Sequence, residues 1–273
     1  MKTKNLIFSA LIAVTMTSCV STAYYQVYKT TPVTNVTLKD NAIVYEDDNC
    51  KVLYNFWEDG GNIGFTLFNK TEKNIYINLE ECFFISNGKA YDYYKNRIYT
   101  SSTSIGSSRG LGATASKSMT GINYLDLIQT NSASYASSVA ATTTSGKSVS
   151  YNEEKIICIP SHTTKTIKEY NINDKLFRHC DLYRNPTRDK IKTVKFTMSE
   201  SPIVFSNRIE YKVGQSGNPI KFENEFFISE ITNYPEPEII DLKYDEFCGN
   251  KEAFQTKYFK NVTPDKFYVK YLW

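Results

Sequence analysis

The sequence predicts a mainly β protein folded as an antiparallel β-sandwich. Two observations favour this fold. Short apolar runs recur between turn-forming residues along most of the chain, which is typical of strands and not of long helices. In one run Ile75, Ile77 and Leu79 alternate with polar or amphipathic residues, as expected of a strand with one buried face. With 273 residues, 41% of them hydrophobic, the chain is long enough to bury a large core.

Eleven segments fit the strand pattern, and their number and shortness favour two packed antiparallel sheets. Asn87-Gly88 follows one of them and predicts a tight hairpin turn, because both residues tolerate positive φ. The architecture is immunoglobulin-like in outline only, since the Cys–Trp–Cys spacing of antibody domains is absent. The segments are 42–45, 50–57, 63–68, 74–79, 82–86, 155–159, 164–170, 192–198, 203–213, 225–232 and 267–273.

An insertion interrupts the strand pattern at residues 101–150. Ser, Thr, Gly and Ala make up 32 of its 50 residues, a composition typical of flexible loops. Apolar residues three apart at 119–128 predict one short helix inside it. A second helix is predicted at 244–258, before an aromatic strand that ends the chain.

The first 18 residues have the features of a signal peptide. Two lysines within the first five residues precede the apolar run 6–14, which is too short for a membrane span of ~20 residues. The small residues Thr17 and Ser18 then precede Cys19. A cut just before Cys19 is the favoured interpretation. A cut near Ala23, with loss of Cys19, is the alternative.

This leader resembles the signal of bacterial lipoproteins, with Met16 at the position where that family usually has Leu. The resemblance implies that Cys19 receives a diacylglyceryl thioether and becomes the acylated N-terminus of an outer-membrane lipoprotein. In lipoproteins of the Bacteroidetes type, acidic residues after the cysteine direct export to the cell surface. Val20, Ser21 and Thr22 are uncharged, which favours the periplasmic face.

The segments 69–79 and 157–163, with the Ser-rich insertion between them, resemble uncharacterised lipoproteins of gut Bacteroidetes. That resemblance covers most of the chain and carries no catalytic motif. The predicted organisation is a signal peptide at 1–18, a lipidated tether at 19–31 and one β-rich domain at 32–273 with the flexible, partly helical insertion 101–150.

Charge argues against a nucleic-acid-binding protein. The chain has 32 Lys and Arg residues against 29 Asp and Glu. Without the two leader lysines the numbers are 30 against 29, a net charge of +1. Nucleic-acid-binding proteins carry a strong basic excess.

The cysteines that follow Cys19 do not form a recognisable metal or redox motif. They are odd in number and no two have the C-x-x-C spacing. Cys50 and Cys82 flank two strand candidates, and a disulfide between them stays open as an alternative to two free thiols. The isoleucines around Cys158 predict a buried position for it. The five are Cys50, Cys82, Cys158, Cys180 and Cys248.

Two groups of residues suggest catalysis, and a structural interpretation is favoured for both. His179 and Cys180 are adjacent and would point to opposite faces of a strand, so His179 could activate Cys180 only poorly. His162 is the only other histidine. Glu236 and Glu238 could serve as paired carboxylates, but the prolines beside them favour a rigid exposed turn. The sequence therefore predicts no catalytic residue, no cofactor and no metal site.

The resulting hypothesis is a lipid-anchored cell-envelope protein with a binding or scaffolding role. Its partners would be the membrane, through lipidated Cys19, and an envelope protein or a glycan, with no nucleic acid. The alternative is a surface glycan-binding or adhesin-like module that uses Tyr24, Tyr25 and the tyrosines of 91–94 as its contact face. An envelope hydrolase ranks third.

Overall fold

Strands make up most of the computed structural model, which describes residues 22–33, 36–39, 41–106 and 144–272. The strands are β1 (Ala23–Pro32), β2 (Thr37–Lys39), β3 (Ala42–Glu46), β4 (Cys50–Tyr54), β5 (Phe65–Asn69), β6 (Ile75–Asn78), β7 (Phe83–Ser86), β8 (Lys89–Asp92), β9 (Ile98–Gly106), β10 (Thr144–Asn152), β11 (Ile156–Ile159), β12 (Thr164–Ile167), β13 (Thr193–Lys195), β14 (Val204–Val213), β15 (Ile220–Pro235), β16 (Ile240–Phe247), β17 (Asn250–Phe259) and β18 (Lys266–Leu272). Short 3-10 turns cover Leu79–Glu81, Arg188–Lys190 and Met198–Glu200, and one α-helical turn, α1, covers Glu236–Ile239.

Two antiparallel sheets form the body of the protein. The larger has the order β11-β6-β14-β15-β1-β18, with β13 beside β15 and the β7–β8 hairpin beside β14. The smaller has the order β12-β5-β4-β3-β2. β9 with β10, and β16 with β17, form two separate two-stranded ribbons.

The sheets enclose one hydrophobic core because their strands alternate in polarity. In β5, Phe65 and Leu67 are buried, and in β6, Ile75 and Ile77 are buried. Side chains from both sheets join the same cluster. Its aromatic part includes the Phe56 ring, 5.0 Å from that of Phe226 and 5.6 Å from that of Phe205. Each such residue contributes ~1.5–3 kcal/mol of burial free energy.

Two of the crossings of the chain between the sheets, from β5 to β6 and from β11 to β12, lie next to each other. The fully buried side chain of Asn69 links these two crossings. Its amide donates to the carbonyls of Lys73 at 2.7 Å and Ile159 at 3.1 Å. Its Oδ1 accepts from the amide of Thr71 at 2.9 Å. These bonds satisfy a buried polar group while fixing both loops.

The β-sandwich prediction is confirmed, and each of the eleven strand candidates contains or overlaps a strand. The Asn87-Gly88 turn is also confirmed, with φ values of 46° and 77°. The immunoglobulin likeness is not confirmed. β2 to β5 form a meander of four consecutive strands, whereas immunoglobulin sheets interleave strands from different parts of the chain.

The start of the domain needs a correction. Residues 23–31 were expected to belong to a tether, but β1 begins at Ala23 and lies between β15 and β18. Tyr25 and Tyr28 are buried, so this segment is held by packing as well as by strand pairing. The pattern was missed because polar residues such as Gln26 and Thr30 are also buried here and obscure the alternation.

The helix predicted at 244–258 is wrong, because these residues form the β16–β17 hairpin. Cys248 and Gly249, with φ values of 51° and 81°, make the turn. Phe247 and Phe254, which suggested a helical face, are 78% and 83% exposed and contact no core. The helix expected at 119–128 lies outside the described residues, and the ends of the insertion belong to the β9–β10 ribbon. No helix in the described ranges is long and apolar enough to cross a membrane.

Candidate functional site

The long segment between β12 and β13, residues 168–192, covers the larger sheet near the start of β1 and is called the covering segment below. A cleft of about 240 Å³ lies between this segment and the sheet. β1 and β15 supply its buried amides, β18 supplies one aromatic side chain, and the covering segment supplies the rest. It is lined by Gln26, Leu176, Phe177, Arg178, His179, Leu182, Arg184, Asn233 and Tyr271.

Gln26 fixes the covering segment to the sheet. Its side chain, 1% exposed, donates to the carbonyl of Phe177 at 2.9 Å and to Oδ1 of Asn233 at 2.8 Å. Its Oε1 accepts from the amide of Phe177 at 2.7 Å and from the hydroxyl of Tyr28. All four hydrogen-bonding positions of this buried amide are therefore occupied by the protein itself.

Tyr28 extends the same network under the covering segment. Its hydroxyl lies 3.0 Å from the carbonyl of Lys175 and accepts from the amide of Phe177 at 3.2 Å. Its ring stacks on Phe267 with centroids 4.6 Å apart. Burial raises the pKa of Tyr28 to about 12, so the phenol stays neutral and can donate.

Apolar and aromatic side chains form the walls of the cleft. Leu182 is buried, and the ring of Tyr271 stacks on Tyr24 with centroids 5.6 Å apart. The Tyr271 hydroxyl donates to the carbonyl of Arg184, which ties the far side of the covering segment to β18. Both sides of the cleft are thus held by the sheet, and a ligand would meet a largely preformed surface.

The rim of the cleft is cationic. Arg178, His179 and Arg184 line it, and none of the lining residues is acidic. The amide of Asp181 lies 3.2 Å and its carboxylate 3.5 Å from Nδ1 of His179, so Asp181 fixes the position of this ring. Two arginines and apolar walls suit a small ligand with an acidic group.

The cysteines predicted from sequence do not form a site. Cys19 lies outside the described residues. Cys50 and Cys82 are both buried and neither forms a disulfide, so the bridge considered for them is absent. Burial raises the pKa of Cys82 to about 12, which leaves an unreactive thiol. Cys158, which was predicted to be buried, is only half-buried. Cys180 and Cys248 are exposed.

The histidines and paired glutamates are also separate. His162 lies in the turn between β11 and β12, with Nε2 3.0 Å from Glu72, and no contact in the described part of the chain joins it to His179 or Cys180. Glu236 and Glu238 occupy α1 in place of the exposed turn expected, and each pairs with a basic side chain. The described residues contain no group of three His, Cys, Asp or Glu side chains placed to hold a metal ion.

The tyrosines proposed as a sugar-binding face have mixed positions. Tyr25 and Tyr93 are 3% and 0% exposed and belong to the hydrophobic clusters. Tyr24 is half-buried against Tyr271, and Tyr91 stacks on Phe84 at 5.8 Å. These residues therefore form no single exposed face.

Sequence reasoning missed the cleft, because its amides come from β1 and β15, 207 residues apart. One signal was visible in the sequence: residues 174–192 contain six Lys and Arg residues against three Asp. Comparison of the chain with protein-family models, with curated proteins and with solved structures finds no match.

Proposed function

We propose that this chain is a lipid-anchored binding protein of the cell envelope, held to the membrane through Cys19 and binding a small acidic ligand in the cleft. The observation that carries the proposal is the position of β1. This strand starts at Ala23, and only Val20, Ser21 and Thr22 separate it from Cys19.

The short connection defines which end of the domain faces the bilayer. Four residue steps from Cys19 to Ala23 span at most ~14 Å in an extended chain. Two or more acyl chains on Cys19 would hold the protein stably, since each buried methylene contributes ~0.8 kcal/mol. The end of the sandwich at which β1 starts would therefore lie against the headgroups.

The cleft lies at this same end. Gln26 is the fourth residue of β1, and Tyr271 is paired with Tyr24 in the strand register. A ligand in the cleft would be held within ~10–15 Å of Ala23. This arrangement favours a protein that collects or presents a ligand at the membrane over a passive scaffold. The uncharged residues after Cys19 favour the periplasmic face of an outer membrane for its location.

The anchor is tested by changing Cys19 to Ala in the producing cell. We expect the variant to leave the detergent-extracted membrane fraction and appear in the soluble fraction, because the acylated sulfur is lost. The matched control is Cys180→Ala, which removes an exposed thiol and should stay membrane-bound. Retention of the Cys19→Ala variant in the membrane fraction would disprove the anchor.

The cleft is tested by calorimetric titration with neutral sugars, sugar acids and aromatic carboxylates. We expect saturable binding only of acidic compounds, and Arg178→Glu should weaken it at least about tenfold, since attraction between the exposed guanidinium and the acidic ligand is replaced by repulsion. Lys89→Glu, an exposed change on the β7–β8 hairpin, is the control. Binding of neutral sugars that survives Arg178→Glu would favour the glycan-binding alternative.

A further inference from the structure

The positive charge of the domain is concentrated in one segment. Residues 174–192 have six basic and three acidic side chains, a net charge of +3. Without the leader the chain has 30 basic and 29 acidic residues, so the remainder has 24 against 26, a net charge of −2. The excess of basic over acidic residues therefore lies in this segment, although the total charge of the chain is close to zero.

The second half of this segment, residues 183–192, lies at the end of the sandwich where β1 starts. Thr193, which follows it, pairs with Thr232, and Thr232 pairs with Val27 of β1. Five residues before Thr193, the Nε of Arg188 lies 3.4 Å from Glu238 of α1, which follows directly on the end of β15. Lys190 and Lys192 lie between these two points. Strand spacings place Lys192 within ~15 Å of Ala23.

The side chains of this half are available to a flat partner. Arg188 is 85% exposed despite its contact with Glu238. The ammonium groups of Lys190 and Lys192 lie 6.0 and 5.6 Å from the ring centroid of Tyr183, which is itself half exposed. Lysines grouped around an exposed tyrosine are a combination suited to the membrane interface, where the ring lies at the headgroup level and the cations meet phosphates.

None of these three cations lines the cleft, so they form a surface separate from it. The acidic groups around them are Asp189, whose carboxylate accepts from the hydroxyl of Thr187 at 2.6 Å, and Glu238, which faces Arg188. Three cations against these two carboxylates leave the group with a net charge of +1.

We propose that Arg188, Lys190 and Lys192 dock on anionic lipid headgroups and set the orientation of the domain on the bilayer. This inference rests on the proposed anchor, because the short connection to Cys19 is what brings this surface to the membrane. Each Lys or Arg near an anionic surface strengthens binding about fivefold, and the effect is lost within a Debye length of ~10 Å.

The test uses the lipidated protein, extracted from membranes and reconstituted into phosphatidylcholine vesicles with or without phosphatidylglycerol. Flotation first establishes that the protein is vesicle-bound. Amine labelling read by mass spectrometry then compares Lys190 with Lys89, which lies on the β7–β8 hairpin and, in the strand register, is level with the opposite end of β1. We expect labelling of Lys190 to fall about fivefold in the anionic vesicles only, to recover in 1 M salt, and Lys89 to be unaffected.

A charge-reversal pair separates docking from simple proximity. Arg188→Glu with Lys192→Glu keeps Lys190 as the reporter and should abolish its protection while the protein still floats with the vesicles. Lys39→Glu with Lys165→Glu, on the smaller sheet, is the matched control and should retain protection. Equal labelling of Lys190 in both vesicle types, or equal protection of Lys89, would overturn the docking surface while leaving the anchor intact. Failure of the wild-type protein to float would overturn the anchor and this inference with it.

Discussion

At the scale of single residues, buried amides connect distant parts of this chain. Asn69 joins the β5–β6 and β11–β12 crossings between the sheets, and Gln26 joins the sheet to the segment that covers the cleft. Asn207 donates to the carbonyl of Ile63 at 2.8 Å and accepts from Tyr93 at 2.7 Å. A buried amide whose hydrogen-bonding positions are all occupied specifies the arrangement of its neighbours more closely than a leucine does, because each hydrogen bond fixes the direction of its partner group.

Replacing Gln26 with Leu should lower the free energy of unfolding by about 2–4 kcal/mol. The substitution leaves the carbonyl of Phe177 and Oδ1 of Asn233 without donors in a buried place. Urea unfolding measures the change, and limited trypsin digestion should show earlier cleavage at Arg178. The control is Gln255→Leu, at an exposed position in β17. A loss of less than 1 kcal/mol would mean that Gln26 does not fix the covering segment.

At the scale of elements, the sequence predicted what depends on local alternation. β5, β6 and the Asn87-Gly88 turn follow from a period of two residues and from tolerance of positive φ. The β16–β17 hairpin was mistaken for a helix because its apolar residues are exposed, so no buried face regulates their spacing. The cleft could not be predicted, since Gln26, Phe177 and Asn233 meet only through the order of strands in the larger sheet.

The structure of the covering segment between β12 and β13 could not be predicted from the sequence either. It has no period, so only its positive charge was readable, and its contacts with β1 and β18 come from single bonds such as that of Tyr271 to Arg184. Charge composition is therefore a local signal that this segment carries where periodicity indicates nothing.

At the scale of the whole molecule, the many phenols and two thiols in the core should make the protein less stable at alkaline pH. Burial raises the pKa values of Tyr28 and Cys82 to about 12, and raises those of Tyr54 and Tyr93 as well. A group whose pKa is higher in the folded state stabilises the fold fully below its unfolded pKa, and the contribution is lost as the pH rises towards the folded value.

The free energy of unfolding should therefore stay level from pH 7 to about 9 and fall steeply from pH 10 to 12. Cys82 starts the decrease because the pKa of an unfolded thiol is near 9, and the tyrosines follow from about 10. Tyr28 alone should account for about 3 kcal/mol of this decrease, because burial raises its pKa from 10.0 to about 12 and each pKa unit corresponds to ~1.4 kcal/mol. Urea titrations at successive pH values measure it. A stability that is constant up to pH 12 would show that these groups are not buried as described.

We propose that Cys19 becomes the lipidated first residue of a domain whose first strand starts four residues later. The most direct measurement is the intact mass of the protein extracted from membranes of the producing cell, followed by sequencing of its N-terminal peptide. We expect a chain that begins at Cys19 and carries the mass of a diacylglyceryl group and an acyl chain. A chain that begins near Ala23, or that retains an unmodified Cys19, would contradict it.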